Sequence, residues 1–124
     1  IAEDMEDNRE GLTMFLEYMG FEVDAAENGE DVVDMFMESE EGYYKAILMD
    51  IEMPVMDGCQ ATLMIRGLNR SDSNLPIIAM TACAFEEDEE EARKAGMDDY
   101  LTKPLTMSRL EEKLKRWITE SVAQ

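Results

Sequence analysis

The sequence predicts one α/β domain, a parallel sheet covered by helices on both faces. Two observations carry that reading. Strand-like and helix-like apolar patterns alternate along the chain, and two short apolar runs, 46–49 and 76–80, have the composition of strands buried on both sides. At 124 residues and 14.2 kDa the chain is large enough for a real core, and residues 1–124 are read as a single domain.

The elements follow in order. Ile1 and Ala2 are all that precedes the acidic pair Glu3-Asp4, so the first strand is read as cut short at its N-terminal end. Leu12, Phe15, Leu16 and Met19 recur at helical spacing, and Gly20 is a natural stop. Residues 21–26 alternate with period two, as a half-buried strand does. Val32, Val33, Phe36 and Met37 form a second helical stripe. The run 46–49 ends at Asp50. Asp57-Gly58 opens a third helix through Ile65, and the polar loop 69–75 closes it. The strand 76–80 ends at Thr81. An acidic helix follows to Ala95, its acids at the favourable end of the helix dipole, with Gly96 as its stop. Residues 98–102 form a short fifth strand. The last helix carries Leu110, Leu114, Trp117 and Ile118 on one face, with Thr106 or Ser108 as N-cap, the latter able to pair with Glu111 in a capping box. Five such strands suit a flavodoxin-like (βα)5 three-layer sandwich of order 2-1-3-4-5, with its site at the carboxyl ends of the strands.

Composition excludes several functions. Thirty acids against eleven bases give a formal net charge of −19, with no basic stretch to track a phosphate backbone. Direct nucleic-acid binding and docking to anionic lipid are therefore not expected. Histidine is absent, which removes a Ser-His-Asp triad, a His-ligated zinc site and any phosphohistidine within this chain. No run is long enough to span a bilayer, and the first residues do not read as a signal peptide. Cys59 and Cys83 suit buried free thiols in a cytoplasmic setting, and the twelve methionines suit adaptable core filling.

Polar residues fall at the ends of four predicted strands: Glu3-Asp4, Asp50, Thr81 and Lys103. Singly each means little, since a lone lysine is usually solvated and a threonine can simply cap a helix. A parallel sheet brings them together. Three close carboxylates repel one another, and a hard cation such as Mg²⁺ resolves the conflict. Lys103 and Thr81 would add a point charge and a hydroxyl donor for phosphoryl oxygens. An aspartate placed there can attack phosphorus and form an acyl phosphate.

The stretches 2–4 (Ala-Glu-Asp), 49–58 (Met-Asp-Ile-Glu-Met-Pro-Val-Met-Asp-Gly), 80–82 (Met-Thr-Ala) and 99–104 (Asp-Tyr-Leu-Thr-Lys-Pro) resemble those of response-regulator receiver domains in two-component signalling. The resemblance covers essentially the whole chain. By position it implies that Asp50 is the phosphoacceptor, and that Asp4 is a direct metal ligand with Glu3 as its water-mediated neighbour. It also implies that the backbone carbonyl of Glu52 completes the protein's ligands to Mg²⁺ (or Mn²⁺). Thr81 and Lys103 would hold phosphoryl oxygens, and Tyr100 would be an aromatic switch. A cis bond between Lys103 and Pro104 is implied too, as is a loop shaped by Pro54. Glu52 and Cys83 occupy positions where the family tunes phosphate lifetime.

The implied phosphodonor is a histidine kinase or a histidine phosphotransfer protein. A homodimer could form through the face of the fourth helix, fifth strand and last helix. The wording of 80–84 and 95–100 is similar to receivers of hybrid sensor histidine kinases, which favours that parentage over a stand-alone regulator. The chain itself is expected not to be an enzyme beyond its own phosphorylation and dephosphorylation. Two rival readings stand beside this one. A haloacid-dehalogenase-type phosphohydrolase would want a second aspartate where Glu52 stands, and a pseudo-receiver would bind proteins without being phosphorylated.

Overall fold

The computed structural model describes residues 1–53, 55–81, 86–103 and 105–119, with 86–88 and 119 through their backbone alone. Pro54, Ala82, Cys83 and Pro104 lie outside the described residues, and so do the expectations that rest on them: the loop shaping, the thiol and tuning roles of Cys83, and the cis bond.

Helices α1 (Glu6–Tyr18), α2 (Gly29–Glu38), α3 (Gly58–Arg66), α4 (Glu86–Ala95) and α5 (Met107–Leu114) alternate with strands β1 (Ile47–Asp50), β2 (Ile77–Thr81) and β3 (Asp99–Thr102). Local chemistry sets several of these boundaries. Gly20 takes φ +95°, and the Phe21 amide reaches back to the Leu16 carbonyl, a left-handed stop that ends α1. Asp57 caps α3 in a reciprocal pair with Gln60. Gly58 is required there, because a Cβ would come within 2.2 Å of the Asp50 carbonyl oxygen. Thr106, rather than Ser108, caps α5. A single π-helical turn, Lys115–Thr119, follows it.

The three strands are parallel, in the order β1-β2-β3. Ala2 bridges in parallel to both Met49 of β1 and Ala26. The order across the sheet is therefore Ala26, Ala2, β1, β2, β3, which is the 2-1-3-4-5 arrangement. The predicted strand 21–26 takes the edge place in this order through Ala26, which among the described residues of that segment is the one that forms a bridge, exchanging hydrogen bonds with Ile1 and Glu3.

Alternation along the strands divides the core into two layers. Ile47, Met49, Ile77 and Ala79 meet α2, α3 and α4 through Val32, Val33, Phe36, Ala61, Ile65 and Ala92. Leu48, Ile78, Met80 and Leu101 meet α1 and α5 through Leu12, Leu16, Leu110 and Leu114. Each fully buried aliphatic side chain contributes about 1.5–3 kcal/mol. The helical stripes are narrower than predicted: Phe15 and Met37 are largely exposed. Four methionines (Met49, Met53, Met80, Met97) fill core, but Met5, Met14, Met37 and Met64 are exposed, so core filling accounts for only part of them. Cys59 is half-buried against the α2–α4 layer. No described helix is long and apolar enough to cross a membrane.

Two arginines tie the far end of the sheet. Arg66 donates to the carbonyls of Ser73, Leu75 and Gly96 and pairs with Asp98 at 2.8 Å. Arg70 donates to the Phe36 carbonyl at the end of α2 and stacks on the Phe36 ring at 4.5 Å.

Candidate functional site

In-register parallel pairing sets Asp50 opposite Met80 and Thr81 opposite Thr102, so the carboxyl ends of the strands finish level. Asp50 is the last residue of β1, Thr81 the last of β2, and Lys103 follows β3. Glu3 emerges beside them because Ala2 is bonded to β1 through Leu48 and Asp50.

The result is a compact charged cluster. Carboxylate oxygens of Glu3, Asp4 and Asp50 lie within 4.8 Å of one another. Glu3 and Asp50 are almost inaccessible, at 1% and 4% exposure, whereas Asp4 is exposed. The Lys103 ammonium donates to both Glu3 oxygens, at 3.0 and 3.1 Å, and to Asp50 Oδ2 at 2.8 Å. The other Asp50 oxygen, Oδ1, accepts the Glu52 amide at 3.0 Å. Both acceptor oxygens of Asp50 are thus oriented by donors on different elements.

The electrostatics follow from this packing. Burial, then the hydrogen bond with Glu3, pushes the Asp50 carboxyl up to about 7, against the opposing pull of Lys103. Burial would raise Glu3 as well, but hydrogen bonds with Asp50, Lys103 and Asn8 outweigh it and hold Glu3 below its ordinary value. Burial works against the Lys103 ammonium, yet Asp50 and Glu3 keep its pKa above the usual lysine value. Two adjacent buried carboxylates therefore share a proton and one lysine. Three all-oxygen donors so close together fit a small hard cation, which would displace that proton.

Of the residues singled out in the sequence, Glu3, Asp4, Asp50 and Lys103 come together. Thr81 is buried beside them, and its carbonyl accepts the Lys103 amide at 2.7 Å. Tyr100 lies outside the cluster. It is half-buried on β3 against the α2–α4 layer, on the same sheet face as Thr81 and two register pairs back. Sequence reasoning passed over Asn8 and Arg9. Asn8 helps hold the Glu3 pKa down, and the Arg9 guanidinium donates to the backbone carbonyls of Glu3 at 3.1 Å and Asp4 at 3.4 Å. A cation in the opening turns of a helix, amid a run of acids, was the available signal.

Comparison with known proteins agrees with this geometry. The family model described as "Response regulator receiver domain" matches residues 1–115. The sensor protein GacS of Pseudomonas syringae pv. syringae is 39% identical over 118 residues, which cover 91% of this chain and 13% of that protein. The chain spans between 5% and 15% of the length of eight curated relatives. The receiver domain of sensor histidine kinase PA1611 from Pseudomonas aeruginosa PAO1, solved with a magnesium ion coordinated in its active-site cleft, is 37% identical. It superposes with a TM-score of 0.86 over 95% of this chain and 93% of that one. A chain from the Saccharomyces cerevisiae co-crystal of the phosphotransfer protein Ypd1 with the receiver domain of Ssk1 is 28% identical. Its TM-score is 0.85, over 97% of this chain and 87% of that one. Sheet order, strand-end motifs and family match converge: the chain belongs to the response-regulator receiver domains of two-component phosphorelay signalling, and is similar to those of hybrid histidine kinases.

Proposed function

We propose that this domain accepts a phosphoryl group on Asp50 from a phosphohistidine donor and thereby switches a protein-interaction surface. The observation that carries the reading is the bridging of two buried carboxylates, Glu3 and Asp50, by Lys103 beside Asp4 at the carboxyl end of the sheet. A bound Mg²⁺ or Mn²⁺ would be held by Glu3, Asp4, Asp50 and the Glu52 backbone carbonyl, and would neutralise charge on the phosphoryl oxygens. An Asp50 carboxylate oxygen attacks phosphorus and the phosphorus–nitrogen bond of the donor breaks. Its electrons pass to the imidazole nitrogen, which takes up a proton. Lys103 and the Thr81 hydroxyl hold phosphoryl oxygens as charge develops on them. The acyl phosphate formed is later hydrolysed, so the domain catalyses only its own modification and release.

The rest of the reading follows the relatives. Residues 1–124 act as one cytoplasmic receiver domain of a longer hybrid kinase, and a histidine kinase or phosphotransfer protein serves as donor. Self-association through α4, β3 and α5 is the expected dimer contact, with Thr81 and Tyr100 as the switch beneath it. The test is intact-protein mass after incubation with acetyl phosphate. Wild type with Mg²⁺ gains one phosphoryl group, while wild type with a chelator and Asp50→Asn with Mg²⁺ gain none. No gain in wild type, with a folded protein, would turn the reading to a protein-binding pseudo-receiver.

A further inference from the structure

The cation of α1 has no place in the reading so far, and its position is unusual. Arg9 sits one turn into a helix that opens with Glu6 and Asp7, where a positive charge opposes the helix dipole. Its side chain is only 16% exposed and turns back toward the helix entry. There it donates from Nη1 to the carbonyl oxygens of Glu3 at 3.1 Å and Asp4 at 3.4 Å, while Nη2 lies 3.7 Å from the exposed Glu27 carboxylate. The contact is thus to main chain, at two consecutive peptide groups that carry two of the three clustered carboxylates.

We propose that Arg9 is a positioning residue for the metal-binding carboxylates: its guanidinium fixes the peptide planes of Glu3 and Asp4 and so aims both side chains at the site. The inference rests on the metal site proposed above and adds a residue to it. Residues 3–5 lie between the Ala2 bridge and α1, and Met5, the N-cap of α1, makes no side-chain cap bond. Asn8, one position before Arg9 on the same helix, helps lower the Glu3 pKa, so neighbouring residues of α1 act on the side chain and the main chain of one ligand. A lysine could supply Arg9's charge, but not the rigid planar group that sets Nη1 against both carbonyls while Nη2 faces Glu27. That difference separates positioning from simple charge compensation, because removing a nearby positive charge would by itself favour a cation, not disfavour it.

The experiment is NMR of wild type, Arg9→Gln, Arg9→Lys and Glu27→Gln, first without metal and then titrated with Mg²⁺. The amide nitrogens of Asp4 and Met5 belong to the two peptide groups that Arg9 contacts. Both shift without metal in Arg9→Gln, and the Mg²⁺ dissociation constant rises about tenfold, as when an outer partner of a metal ligand is lost. Arg9→Lys behaves like Arg9→Gln, whereas Glu27→Gln behaves like wild type. Arg9→Lys matching wild type, or Arg9→Gln binding Mg²⁺ as tightly or more tightly, overturns the proposal. A wild type that binds no Mg²⁺ overturns the underlying site as well; one that binds it equally with and without Arg9 overturns this inference alone.

Discussion

Lys103 reaches both Glu3 and Asp50, so the metal-free site is held by one ammonium between two buried carboxyls. The folded Asp50 keeps, up to a pH of about 7, a proton that the unfolded chain releases at the ordinary aspartate value. Its contribution to stability is therefore present at low pH and lost as pH rises through about 7. Glu3 acts the other way: its lowered pKa stabilises the fold above the ordinary glutamate range, and that stability is lost as pH falls below it. Of these two carboxyls only Asp50 is still changing above that range, while the buried amine of Ile1, lowered to about 6 by burial, works the other way at higher pH. The melting temperature without metal should therefore fall as pH rises from about 5 to 6, and Mg²⁺ should raise it more as Asp50 loses its proton. Scanning calorimetry with and without Mg²⁺ reads both, and a flat profile would show that Asp50 is not buried as described. At this scale Glu3, Asp4, Asp50, Thr81 and Lys103 were legible because each ends a strand of recognisable pattern. Arg9 was not, because its partners are carbonyl oxygens, which carry no side-chain signature.

The helices were legible through their caps and stripes, since capping is local chemistry: Asp57, Gly20 and Gly96 stand where the chain requires them. The segment 21–26 was harder to bound than the helices, because strand pairing depends on a partner distant in sequence, and Ala26 is its bridging residue among those described.

Across the whole molecule, the two sheet faces separate two tasks. The face toward α1 and α5 is mostly aliphatic packing, whereas the face toward α2–α4 carries Thr81 and Tyr100 two register pairs apart. On the proposed function, a phosphoryl group on Asp50 would offer the Thr81 hydroxyl a charged acceptor. Movement of Thr81 would then free space toward α4 for the Tyr100 ring. Two states a few kcal/mol apart suffice for one charge-assisted hydrogen bond and a metal to tip the balance. In NMR with a beryllofluoride phosphate mimic, Thr81→Ala should still bind the mimic but lose the shifts of the Tyr100 ring and of amides 89–101. Equal shifts in wild type and Thr81→Ala would remove Thr81 from the transmission. The layered architecture was legible as alternation of pattern along the chain. The links that Arg66 and Arg70 make between elements were not, since they satisfy carbonyls up to 34 positions away. All of this depends on where the phosphate goes. The most direct measurement is borohydride reduction of the acetyl-phosphate-treated wild type, which converts an aspartyl phosphate to homoserine, followed by peptide sequencing in the mass spectrometer. The account predicts homoserine at position 50 alone. Homoserine at any other acidic position, or phosphate recovered on a serine or threonine, would contradict it.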